Sequence, residues 1–155
     1  MSARPEWDES EAATLIARHS EREGGLLPVL HELQARFGCV PDGAVPLVAD
    51  ALNISRVDVH GVLTFYDDFR RGPPPPRVVR LCRAEACQAL GCEDLVAELA
   101  RRHGVFLDTP TEIVAVETVY CLGNCALGPS ALVGDELVGR LDAARLAELC
   151  GLPPR

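Results

Sequence analysis

The sequence predicts an α+β protein in two parts, a small helical bundle over residues 1–72 and a mixed α/β unit over residues 77–155. Three observations carry that reading. The first seventy residues hold apolar side chains at helical spacing, punctuated by glycine and proline. Four consecutive prolines, Pro73 to Pro76, admit neither helix nor inner strand and favour a stiff polyproline II linker over residues 73–76. Beyond them the texture changes to short β-branched runs separated by turn residues and one amphipathic stretch.

Each element has a local reason. Ser10 can cap a first helix through Leu15 and Ile16, ended by Gly24 and Gly25. Leu26, Leu30, Leu33 and Phe37 then recur as one stripe, with Pro28 tolerated in the first turn and Gly38 as the stop. A third helix opens near Asp42, with Leu47, Val48, Ala51 and Leu52 as its expected apolar side. Ser55 and Asp58 form a capping-box pattern ahead of Val59 to Tyr66. After the linker, Arg77 to Leu81 reads as a strand that delivers Cys82. A helix follows from Cys92 to His103, with Leu95, Val96 and Leu99 inward and Gly104 behind it. Thr111 to Tyr120 is rich in β-branched residues and reads as a strand ending at Cys121. Ala131 to Val133 and Glu136 to Val138 flank a two-residue turn and predict a hairpin. Asp142 caps a last helix through Leu146 and Leu149.

Composition narrows the function. With 48% hydrophobic and 25% charged residues the chain is globular. A net charge of −8 with no basic stripe argues against nucleic acid as a partner. No apolar run is long enough for a membrane span, and residues 1–8 lack the apolar core of a secretory signal, so a cytoplasmic, reducing setting is expected. All fifteen basic residues are Arg, which carries no functional message here.

Seven cysteines in a reducing compartment point to metal ligands or buried thiols before a disulfide framework. Four of them stand as two local pairs, Cys82 and Cys87, then Cys121 and Cys125, in the pattern C-x4-C, thirty-three intervening residues, C-x3-C. Residues 118–134, around the second pair, contain no Asp, Glu or Arg. Three chemistries compete. A structural zinc ion takes four thiolates, but these spacings are at the loose end for its knuckles. A dithiol redox site wants Cys-x-x-Cys, which is absent. A [2Fe-2S] cluster needs four thiolates around a larger core, and its sulfurs accept hydrogen bonds from backbone N–H groups, which Gly123, Asn124, Ala126 and Gly128 are placed to offer. Reduction adds negative charge, so an acid-free loop with Arg80 and Arg83 near the first pair would ease it. Spacing and composition favour iron–sulfur and leave zinc as the alternative, in which case the chain would be a zinc-stabilised assembly module.

The remaining candidates read as structural. Cys39, Cys92 and Cys150 are expected to be ordinary buried thiols, although Cys92 lies near enough to Cys87 to be weighed as a ligand. His19, His31, His60 and His103 share no spacing. There is no G-x-G-x-x-G, Walker A or H-E-x-x-H motif and no nucleophile–base pair, so no catalytic residue is assigned.

Cys82-x4-Cys87 followed by Cys121-Leu-Gly-Asn-Cys125-Ala-x-Gly-Pro resembles the thioredoxin-like [2Fe-2S] subunits of NADH-linked oxidoreductases, including the small iron–sulfur subunit of the NADH module of complex I. Leu27 to Gln34, Phe37 to Pro41 and Val59 to Tyr66 look like the N-terminal helices of that family, so the resemblance covers nearly the whole chain. Phe65 to Arg70 and Cys82 to Cys92 look most like the gamma subunit of molybdenum-containing, NAD-dependent formate dehydrogenases. The resemblance implies a thioredoxin-like second domain and one [2Fe-2S] cluster on Cys82, Cys87, Cys121 and Cys125, with Cys92 outside the ligand set. It also implies a direct partner subunit that binds FMN and NAD, and a molybdenum-containing formate-oxidising subunit in the same complex. The corresponding subunits of complex I and of NAD-reducing hydrogenases are the alternatives within the family.

Overall fold

The computed structural model describes residues 6–153, and the ends of the two expected domain spans, residues 1–5 and 154–155, lie outside them. The chain separates into two compact units, Met1–Pro73 and Pro74–Arg155. The described residues form seven α-helices and one four-stranded sheet.

The first unit contains four helices, α1 (Glu9–Ala17), α2 (Leu26–Phe37), α3 (Ala44–Leu52) and α4 (Arg56–Phe65). Asp8, not Ser10, caps α1, accepting the Glu11 N–H at 2.9 Å. Both residue types cap well, and the choice falls to the one whose backbone is extended there. Gly38 closes α2 with φ +77°, a conformation that costs a residue with a Cβ about 1 kcal/mol or more. In α3 the buried face is Ala44, Val48 and Ala49, while Ala51 is exposed, so the inward stripe is rotated from the one expected. Ser55 and Asp58 complete the capping box at the start of α4, each side chain meeting the other's backbone N–H at 3.1 Å. Ile16, Leu30, Leu33, Val48 and Val59 fill the core between the helices. Each such burial contributes about 1.5–3 kcal/mol. The segment after α4 is tied to α2: Gln34 donates to Asp68 O at 2.6 Å and accepts the Arg70 N–H at 2.7 Å.

The second unit is built on strands β1 (Arg77–Cys82), β2 (Val114–Val119), β3 (Ala131–Val133) and β4 (Glu136–Val138), in the order β2-β1-β3-β4. β1 and β2 are parallel with Cys82 opposite Val119, and β1–β3 and β3–β4 are antiparallel. Parallel neighbours need a long crossover. Here it contains α5 (Glu85–Ala89) and α6 (Cys92–His103). Val79, Leu81, Val114 and Val116 from the sheet, Leu99 from α6 and Leu146 from α7 (Ala143–Leu149) make one core. β2 starts at Val114, three residues after the expected start. The Thr111 hydroxyl accepts the Val114 N–H at 3.0 Å and closes a local turn, so residues 111–113 are not extended. The short helix α5 has no sequence signal, because residues 83–90 contain no periodic apolar run.

Candidate metal centre

The parallel pairing of β1 and β2 decides the site. Adjacent parallel strands end at the same edge of a sheet, about 4.8 Å apart. Cys82 is the last residue of β1, and Cys121 stands two residues past the end of β2. Two cysteines far apart in sequence are thereby delivered to one edge, and each brings its local partner.

The first pair is buried. Cys82, Cys87 and Cys92 form a small apolar cluster with Ala84, Val119 and Leu122 around them. Cys87 is carried in by α5, and its thiol hydrogen-bonds that of Cys82. The second pair is exposed, with Cys121 Sγ and Cys125 Sγ 3.9 Å apart. Their closeness comes from the turn between them. Cys121 itself adopts φ +67° and Gly123 φ +75°, after which Cys125–Leu127 forms a single 3-10 turn. A left-handed cysteine costs about 1–2 kcal/mol, and such backbone is concentrated at functional sites.

The electrostatics differ between Cys82, Cys87 and Cys125. Burial pushes the Cys82 thiol up, but the N–H groups of Ala84, Leu122 and Cys121, with the Cys87 thiol, outweigh it and leave Cys82 below the ordinary thiol range. Cys87 is raised by burial and by Cys82, against a lowering hydrogen bond from the Ser130 N–H. Cys125 is raised chiefly by its hydrogen bond with Cys121. Thiolates, not thiols, bind metal, so of these three Cys82 is the sulfur best prepared for ligation.

The loop makes room for these sulfurs. A Cβ on Gly128 would lie 2.9 Å from Leu90 Cδ1 and 3.3 Å from Cys87 Sγ, so the absence of a side chain lets the second loop close on the first pair. Gly128 directs its own N–H to Cys125 O at 3.3 Å rather than to a sulfur. The N–H donors to the two buried sulfurs come from Ala84, Cys121, Leu122 and Ser130, hence from both loops. Arg80 and Arg83 do not stand as uncompensated positive charge. Arg83 makes a two-pronged pair with Glu93 at 2.8 and 2.9 Å, and Arg80 Nε lies 3.6 Å from Glu117.

Among the described residues no three Cys, His, Asp or Glu side chains form a group fit for one metal ion. A tetrahedral zinc ion would need its four sulfurs drawn around a single centre. A two-iron cluster takes two thiolates on each iron, so its ligands come as two close pairs with the core between them. The donor set of two cysteine pairs, with backbone N–H groups turned toward the buried sulfurs, fits that second arrangement.

The other candidates stand outside the two cysteine pairs. Cys92 is fully buried at the start of α6, and burial together with Glu93 pushes its thiol up to about 11. Cys39 is buried in the first unit, and Cys150 lies in the core of the second. His19 stands 2.6 Å from Glu32, the His31 ring packs tilted at 50° against Phe69 with centroids 4.9 Å apart, and His60 lies 3.2 Å from Arg71. Ser130 and Gly139 escape a reading of motifs and spacing, yet both touch the cysteine loop. The available signal is that Asn124 and Ser130 are the only side chains with amide or hydroxyl groups between Tyr120 and Gly134.

Comparison with known proteins agrees with this geometry. A family described as thioredoxin-like [2Fe-2S] ferredoxin matches residues 12–151. An NADH-quinone oxidoreductase subunit of Rhizobium meliloti is 35% identical over 144 residues, which cover 92% of this chain and 84% of the relative. The NADP-reducing hydrogenase subunit HndA of Solidesulfovibrio fructosivorans is 28% identical over 90% of this chain and 82% of its own. In fold, the chain is similar to the crystal structure of an NAD+-reducing [NiFe]-hydrogenase in the air-oxidised state, with a TM-score of 0.69 and 22% identity. The match covers 82% of this chain and 22% of the hydrogenase chain.

Proposed function

The chain belongs to the thioredoxin-like [2Fe-2S] ferredoxin family, whose members carry one [2Fe-2S] cluster, and from that premise we propose that it is the electron-transfer subunit of a soluble, NAD-dependent formate dehydrogenase. The coarser part, an iron–sulfur subunit of the NADH-module type, is supported by the relatives named as NADH-quinone oxidoreductase and hydrogenase subunits. The formate assignment is supported by the resemblance of residues 65–70 and 82–92 to the gamma subunits of those enzymes. Subunits of complex I or of an NAD-reducing hydrogenase are the rival members of the same class.

The observation that carries the reading is the convergence of two cysteine pairs on the edge formed by the ends of β1 and β2. Cys82, Cys87, Cys121 and Cys125 would hold the cluster, which when bound supplies one-electron chemistry. The protein side of that chemistry is asymmetric. Cys82 and Cys87 are sealed from water, while Cys121 and Cys125 are open to the surface. An electron crossing to a partner would therefore leave or enter on the side of the second pair. FMN and NAD belong to a directly contacting flavin subunit and the molybdenum cofactor to a formate-oxidising subunit. Among the described residues no helix is long and apolar enough to cross a membrane, and the complex is proposed to be cytoplasmic.

Purification without oxygen tests the cofactor and the partners together. The expected protein is brown, carries two irons and two sulfides per chain, shows an EPR signal on reduction, and co-purifies with a flavoprotein and a molybdenum protein. A colourless protein with one zinc refutes the electron-transfer reading. A brown protein whose gene lies among quinone-reductase or hydrogenase genes refutes only the formate assignment.

A further inference from the structure

Ser130 is the buried polar residue of the described chain, 1% exposed, at the entry to β3. It meets both cysteine pairs. Its carbonyl accepts the Cys82 N–H at 2.9 Å, and its own N–H points at the Cys87 sulfur. Its hydroxyl accepts from Asn124 Nδ2 at 3.0 Å and donates to Leu127 O at 3.4 Å. Asn124 immediately precedes Cys125, and Leu127 ends the 3-10 turn that Cys125 begins. Main chain therefore binds Ser130 to the first pair, and side chain binds it to the second.

We propose that Asn124 and Ser130 form a positioning pair that locks the two cysteine pairs into one ligand set. The proposal rests on the cluster reading given above and deepens it. In a merely structural role, either polar side chain could be lost with an effect set by its own burial alone. In the coupling role, the Asn124–Ser130 hydrogen bond fixes where Cys125 stands relative to Cys87, and loss of either partner removes the same constraint. The surroundings are shaped for it. Gly139 has no side chain, and a Cβ there would come within 2.7 Å of Asn124 Nδ2, so the amide has space only because that position is glycine. Residues that orient metal ligands in this way typically change affinity by about ten- to a hundredfold when removed.

The test uses the full chain loaded with its cluster. Ser130→Ala, Asn124→Ala and the double variant are compared with wild type for the rate of iron release to a chelator and for the EPR-monitored midpoint potential. Each single change should speed release about tenfold, and the double variant should release no faster than the quicker single one. Both single variants should shift the potential in the negative direction, because a looser Ser130 N–H to Cys87 bond stabilises the reduced state less. Asn124 is only half-buried, so Asn124→Ala keeps the experiment decisive should Ser130→Ala not fold. Release rates and potentials equal to wild type in a protein that does bind iron overturn the pairing alone. Single effects that multiply in the double variant also overturn it, since independent residues behave that way. Wild-type protein without iron overturns the cluster reading and the pairing with it.

Discussion

Replacing Gly139 by alanine should disrupt the cysteine loop from outside it. Gly139 follows β4 and lies against the turn that carries Cys125. An added Cβ would stand 2.6 Å from Leu127 O, 2.7 Å from Asn124 Nδ2 and 3.0 Å from Leu127 Cβ. The first contact is with backbone and cannot be relieved by a rotamer change. Leu127 O is also fixed by the Arg140 N–H at 2.6 Å, one residue from the substitution. The Asn124 amide can turn aside only by abandoning Ser130. Overpacking of this kind costs about 1–3 kcal/mol. Leaving the buried Ser130 hydroxyl short of a partner costs about 1–3 kcal/mol as well. For a unit of this size, at about 4–8 °C per kcal/mol, the combined loss should lower the melting temperature by roughly 10–50 °C. Thermal unfolding followed by circular dichroism measures the loss, and visible absorbance of the loaded protein follows the cluster through the same ramp. Gly61→Ala is the control: it lies exposed within α4, has nothing within 4 Å of its would-be Cβ, and should be stabilised by up to about 1 kcal/mol. A Gly139→Ala protein that melts with wild type and keeps its colour would refute the packing argument.

Other perturbations address the remaining cysteines. Cys121→Ala should abolish the visible spectrum and raise hydrogen exchange across residues 118–134, while the circular dichroism of the helical unit persists; a retained spectrum would remove Cys121 from the ligand set. Cys92→Ala should keep the full spectrum, because Cys92 opens α6 and stands outside the two pairs proposed as ligands. Disappearance of the spectrum would show the four-ligand assignment to be wrong. Cys150 is fully buried, and desolvation raises it from an ordinary 9.0 to about 11. Its contribution to stability is complete below pH 9 and declines as pH rises toward 11, because the unfolded chain loses that proton first. Wild-type stability should therefore fall by roughly 1–3 kcal/mol over that window from this thiol. Denaturant titrations at several pH values should give a shallower slope for Cys150→Ala.

Much of this protein is readable one segment at a time. The helical periodicity of Leu26 to Phe37, the capping box at Ser55, the stretch Cys92 to His103 with Gly104 behind it, and the hairpin turn at Gly134 and Asp135 all carry local signals, and each matches an observed element. Those signals are local because capping, turn chemistry and amphipathicity act over a few residues. The two cysteine pairs are legible for the same reason, each being a short-range pattern. Local pattern fails where two choices are nearly equal, as at Asp8 against Ser10, or where a side chain closes its own turn, as at Thr111.

Sequence by itself determined most of the elements, though not α5, together with the acid-free cysteine loop and the kind of donor available. Only the tertiary structure decided that β1 and β2 run side by side and parallel, which brings Cys82 and Cys121 to one edge. It also decided that Arg80 and Arg83 are already paired with Glu117 and Glu93, and that Ser130 joins the two loops. These facts depend on contacts between residues tens of positions apart. Such contacts arise from burying a shared core and from pairing every buried backbone group, and neither is written in any one stretch of the chain.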